Sequence, residues 1–229
     1  MRTIKKVASH IFIDGFGGMT QGLFATLIIG TMIQQIGLLI GGSTGNVIYL
    51  LGKAAAALTS AGIGVGVAVK YGESPLVTVS AAVAAMVGGY AGKITGGTFF
   101  VDGNAVLAGP GEPLGAFIAA FAGITCGHLV SGKTKVDIIV TPVITIGAGS
   151  VVGLLVGPPI SQMMTGLGSI INWATEQRPF IMGIVVSVVM GMVLTLPISS
   201  AALGIILNLS GLAAGAATIG CCCNMVGFA

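Results

Sequence analysis

With 229 residues, 55% of them hydrophobic and only 7% charged, the chain lacks the polar surface that a soluble domain of this size carries. Its net charge of +3 comes from clustered basic residues, which speak to membrane topology and not to nucleic acid. The four cysteines fit no secreted disulfide framework: Cys126 lies alone in an apolar run, and Cys221, Cys222 and Cys223 are consecutive. Side chains adjacent on a helix point about 100° apart, so those three cannot converge on one metal. These facts predict an all-α membrane protein, a polytopic helical bundle.

The chain opens MRTIKKVASHIFID, in which Ile4, Val7, Ala8, Ile11 and Phe12 follow helical spacing with Arg2, Lys5, Lys6 and His10 opposite. Residues 1–14 are therefore expected to form a short basic amphipathic helix on the cytoplasmic lipid headgroups. Asp14 with Gly15, Gly17 and Gly18 reads as the hinge into a single transmembrane transport domain, 15–229.

Apolar runs follow at about 15–40, 46–69, 75–92, 114–131, 137–157, 179–197 and 199–219, which predicts about seven transmembrane helices. Many of the 39 glycines stand at small-x-x-x-small spacing, which lets helix backbones approach closely in lipid. Gln34 and Gln35, deep in the first run, serve either to bond a neighbouring helix or to donate to a hydroxylated substrate. A cytoplasmic N-terminus places Lys70, Lys133 and Lys135 on the inner side, as the positive-inside rule asks. His128, near the inner end of the fourth run, reads as an interfacial hydrogen-bonding residue.

The stretch TGGTFFVDGNAVLAGPGEPLGA (95–116) joins two acids, Asp102 and Glu112, to Asn104, Pro110, Pro113 and several glycines. Ionisable groups at membrane depth are costly and mark function. Broken backbone is tolerated there only where it is buried in protein or lines a cavity. The stretch is oilier than an ordinary external loop and is expected to form a re-entrant hairpin that lines a substrate site. Further on, GPPISQMMTGLGSIINW (157–173) is too polar for a clean span and is expected to be interfacial or re-entrant, ending at Trp173 as an interface anchor. NWATEQRP (172–179) offers Asn172, Glu176 and Arg178, either as a local ion pair that caps the next helix or as ligand contacts. LPISS (196–200) suits a hairpin turn or a discontinuous helix.

An internal echo runs through the chain. GLLIGG (37–42) recurs as GLLVGP (153–158), SAAV (80–83) as SAAL (200–203), and Asn104 matches Asn224. This predicts a parallel repeat, 15–116 and 131–229, with the second copy incomplete. The echo leads to the expectation that the chain is the N-terminal part of a longer protein. Neither a P-loop nor HExxH, GxSxG or Cys/His metal spacing occurs in a fitting context, so no metal or cofactor is expected.

GLFATLIIGTMIQQIG, AGIGVGVAVKYGESPLV, VLAGPGEPLGAFIAA, INWATEQRPFIMG and LTLPISSAALG together resemble bacterial phosphotransferase-system IIC membrane components. The likeness covers essentially the whole chain, and those family members continue past the point where this one stops. Such permeases carry a G-x-x-E signature whose glutamate contacts the sugar hydroxyl to be phosphorylated, and Gly109-Pro110-Gly111-Glu112 is similar in form. Pro110-Gly111 stand where the better-known sugar permeases have Ile-Thr or Ile-His.

The resemblance implies a bacterial plasma-membrane permease, a homodimer that carries a small hydroxylated solute by alternating access. Glu112 would be the base or hydroxyl acceptor, Gly109 and Gly111 its loop, and Asn104 and Asp102 would orient the substrate, with Asn172 and Glu176 as further contacts. The phosphoryl donor would be a separate cytosolic IIB protein fed by IIA. Two other readings stand beside this one: a IIC-like secondary transporter coupled to protons or ions through Glu112 or Asp102, and a membrane protein that binds or senses a ligand without moving it.

Overall fold

A computed structural model describes residues 14–101, 104, 105, 107, 109, 111–193 and 209–228. The expected amphipathic helix before Asp14 and the LPISS break lie outside the described residues. Among these residues almost everything is helical: α1 (Phe16–Ile40, with a π-type segment Phe24–Ile28), α2 (Gly42–Ala57), α3 (Thr59–Lys70), α4 (Pro75–Gly89), α5 (Ala91–Thr95), α6 (Pro113–Val130), α7 (Asp137–Gln177), α8 (Pro179–Val193) and α9 (Gly211–Phe228). One minimal hairpin interrupts them, with β1 (Phe100–Val101) antiparallel to β2 (Asn104–Ala105).

The helices fall in the expected order along the chain. α1, α6 and the Asp137–Met163 part of α7 are each long and apolar enough to cross a membrane, and α2 with α3 make a fourth span broken by a 53° bend. α4 and the apolar parts of α8 and α9 are shorter, at 10–17 residues. Large side chains such as Leu39, Leu155 and Phe180 are 86%, 72% and 81% exposed, as suits residues whose solvent is lipid. The all-α membrane fold is thus what composition predicts.

One expectation is corrected. Residues 157–173 do not break from the preceding span: they continue α7 without interruption through Pro158 and Pro159. Within a membrane bundle, neighbouring helices and local adjustment satisfy the backbone groups that a proline frees, so Pro158 and Pro159 are tolerated inside the helix. Gly157 lies against the junction of α4 and α5, where a Cβ would meet the Ala91 Cβ at 2.7 Å and the Gly88 carbonyl at 3.2 Å.

By its contacts the chain divides at Ile160 and Ser161 into two compact units. In the first, α1 runs along α2 and α3 on a seam of facing glycines, among them Gly18 against Gly66, Gly22 against Gly62 and Gly37 against Gly45. Any side chain there would enter a neighbouring backbone, which is why the sequence is so rich in glycine. The layers continue through Gly64 on Ala81, Gly88 on Gly115, and Gly123 on Gly149. Leu23, Ile63, Val67, Val77, Ala84 and Ile124 fill the core between them. At the Lys70 end, Ser74 and Ser131 share a hydrogen bond of 3.0 Å, and His128 Nδ1 lies 2.9 Å from the Glu73 carboxylate. His128 thus makes the hydrogen bond expected of it, with Glu73 as its partner. In the second unit α8 packs on α9 through Val186, Met190 and Ala217.

Candidate functional site

The site is built where the α2–α3 break, the end of α4 and the start of α6 meet. α2 gives way to α3 at Leu58, whose backbone leaves the helical region at φ −85° and ψ 10°. In lipid every backbone carbonyl needs an internal partner. At this break the Ala56 carbonyl accepts from the Thr59 hydroxyl at 2.6 Å, and the Ala57 carbonyl accepts from the Tyr90 hydroxyl at 3.2 Å.

α4 ends at Gly89 after 15 residues, a rise of roughly 22 Å where a bilayer core needs about 30 Å. Tyr90, 1% exposed, follows it. Its ring packs against Phe99 with centroids 5.4 Å apart, and its hydroxyl also donates to the Gly109 carbonyl. Gly109 and Gly111 hold φ values of +80° and +74°, a region that glycine enters without steric cost. A side chain at Gly111 would also collide with Ser60, whose Oγ lies 2.5 Å from where its Cβ would stand.

Glu112 is the N-cap of α6, extended at φ −89° and ψ 111°, with Pro113 at the first helical position. Its N–H donates to the Gly89 carbonyl at 2.6 Å, which pins the acid to the end of α4. Its Oε1 is buried and has no hydrogen-bond partner among the described residues. A buried carboxylate oxygen without a donor is costly. The positive end of the α6 dipole offsets only part of that cost. The oxygen is therefore an acceptor to which the described residues bring no donor.

Of the residues singled out in the sequence, Gly109, Gly111 and Glu112 come together here. Asp102 lies outside the described residues, as does the side chain of Asn104, whose backbone pairs with Val101. Asn172 and Glu176 belong to the second unit: the Asn172 carbonyl oxygen accepts from Ser210 N at 3.1 Å, and Glu176 is exposed. Glu176 and Arg178 do not form the ion pair considered for them. Gln34 sits on the α1–α2 seam over Gly52, and Gln35 is exposed. Among the described residues no three His, Cys, Asp or Glu side chains cluster so as to hold a metal.

Sequence reasoning missed Ser60, Thr59 and Tyr90. A search for charges and amides in apolar runs passes over hydroxyls. The signal was present in Gly88-Gly89-Tyr90, a phenol that directly follows two glycines at the end of an apolar run.

These features define a helical membrane protein with an acidic site at converging helix breaks, the architecture of a transport component. The family model for the phosphotransferase system EIIC component matches residues 13–229, and the chain belongs to that family. It is therefore a membrane permease component that works with IIA and IIB partners on a solute. No curated protein and no solved structure matches the chain.

Proposed function

We propose that this chain carries a small hydroxylated solute, a sugar, across a bacterial plasma membrane by alternating access and presents it for phosphorylation. The observation that carries the reading is the buried Oε1 of Glu112, without a hydrogen-bond partner among the described residues, beside the ends of α3, α4 and α6. A sugar hydroxyl is the neutral donor such an oxygen lacks. The roughly 22 Å rise of α4 between the Lys70 end and Glu112 supports a reading in which the acid lies at membrane depth.

In the transfer step the substrate hydroxyl oxygen attacks the phosphorus carried by IIB. Its proton passes to the Glu112 carboxylate, and the bond between phosphorus and the IIB side chain breaks. Asn104 and Asp102, on the same loop, orient the solute, and the N-terminus lies in the cytoplasm. We include in this reading a single transport domain with parallel repeats, assembled as a homodimer.

A thermal-shift panel of sugars, polyols, sugar phosphates and anions, on detergent-purified wild type and Glu112→Gln, tests the assignment. The expected result is a sugar that raises the wild-type Tm and leaves the variant unmoved. A panel in which both proteins shift alike, or neither shifts, removes Glu112 from the substrate site. Uptake driven by acid outside and independent of IIB would favour a secondary transporter, and saturable binding without flux a sensor.

A further inference from the structure

We propose that Tyr90 is a positioning residue that couples the α2–α3 bend to the loop carrying Glu112. Two observations meet in one side chain. The Tyr90 hydroxyl lies within hydrogen-bond reach of the Ala57 carbonyl, at the last residue before the 53° bend, and of the Gly109 carbonyl, at the start of Gly-Pro-Gly-Glu. Each carbonyl belongs to a stretch where the helical ladder is interrupted, and one hydrogen serves both. The preceding residue completes the grip, because the Gly89 carbonyl holds the Glu112 N–H at 2.6 Å. Gly89 and Tyr90 therefore hold the loop at both ends, and Tyr90 extends that hold to the bend.

The consequence is mechanical. A change in the angle between α2 and α3 moves the Ala57 carbonyl and alters how the Tyr90 hydrogen is divided. The restraint on Gly109, and with it the placement of the Glu112 carboxylate, changes in step. A solute that displaces Gly109 releases the hydrogen to Ala57 in return, and such reciprocity is required of any coupling between two sites. Tyr90 needs no contact with the solute. The inference rests on the reading of Glu112 as the solute's acceptor only for its consequence in transport, since the coupling is measured without solute.

The test uses the full chain with its four cysteines replaced and nitroxide pairs at Leu51 with Val69, for the bend, and Leu51 with Leu107, for the loop. These sites are 62%, 61% and 40% exposed. Tyr90→Phe, which keeps the ring and its packing, is expected to broaden both distance distributions. It should raise the population outside the wild-type peak on the order of 5-fold, the weight of one net hydrogen bond. Thr125→Val, which removes a hydroxyl bonded only to Phe121 on its own helix, is expected to leave both distributions unchanged.

A folded Tyr90→Phe with both distributions at wild type overturns the proposal. So does a variant that broadens one distribution alone. Should Tyr90→Phe not fold, the unaltered chain labelled with 3-fluorotyrosine gives a second reading. It has three tyrosines, assigned through Tyr49→Phe and Tyr71→Phe. Leu58→Gly at the bend is expected to shift the Tyr90 fluorine resonance, and a resonance that stays in place overturns the coupling. If Glu112→Gln leaves every solute response intact while Tyr90→Phe broadens both distances, the solute-site reading falls and the coupling stands.

Discussion

Gly111 and Gly109 hold nearly the same positive φ in different surroundings, and the pair separates two costs. An alanine at either position must enter the left-handed region, at about 1–2 kcal/mol. At Gly109 the added methyl meets nothing within 4 Å among the described residues, whereas at Gly111 it meets Ser60 Oγ at 2.5 Å and the Gly89 carbonyl at 3.1 Å. Gly111→Ala is therefore expected to lower the melting temperature more than Gly109→Ala, and to abolish a solute-induced shift by moving Glu112. Equal losses in the two variants, measured by thermal unfolding in detergent, would mean that the loop yields and that Ser60 does not hold it. Gly111 and Glu112 were legible in the sequence as a Gly-Pro break with a scarce acid. Ser60 was not, because it precedes them by some fifty residues and reaches them only through the packing of α3 on α4.

Among the elements, glycine spacing forecasts close helix approach but not which glycines make it. Gly64 faces α4 so closely that a Cβ would stand 2.5 Å from the Ala81 carbonyl, while Gly147 on α7 has nothing within 4 Å. Gly64→Leu is expected to separate α3 from α4 and remove the monodisperse peak in size-exclusion chromatography. Gly147→Leu, at a position of the same residue type, is expected to leave that peak in place. The reverse ranking would contradict the seam described for the first unit. The echoed motifs also differ in local structure, since GLLIGG ends α1 at Gly41 with φ +66° while GLLVGP runs inside α7. Similar short strings take the conformation that their packing selects, and 157–173 is helix.

For the molecule as a whole, the proposed orientation makes the α1–α2 turn external and the α6–α7 turn cytoplasmic. Ser43 and Lys135, both exposed, mark these two turns. With a membrane-impermeant thiol reagent on intact cells, Ser43→Cys is expected to react at once and Lys135→Cys only after permeabilisation. The opposite pattern would invert the topology and place the Lys70 face outside, away from any IIB protein.

Apolar run length, the scarcity of charge and the placement of Gly-Pro pairs determined by themselves that this is an all-α membrane protein, roughly where its helices lie, and that Glu112 sits at a break. These are local properties: each run must satisfy its backbone within itself, so hydropathy and breakers suffice to read it. The tertiary structure alone decided what surrounds the break. The partners of Ala57, Gly109 and Glu112 are supplied by Gly89 and Tyr90, from a different helix end, across sequence separations of 33 residues in one case and 19 in another. A broken helix leaves backbone groups that its own turn cannot satisfy. Which distant residue satisfies them depends on how the helices stack, and no local pattern encodes that.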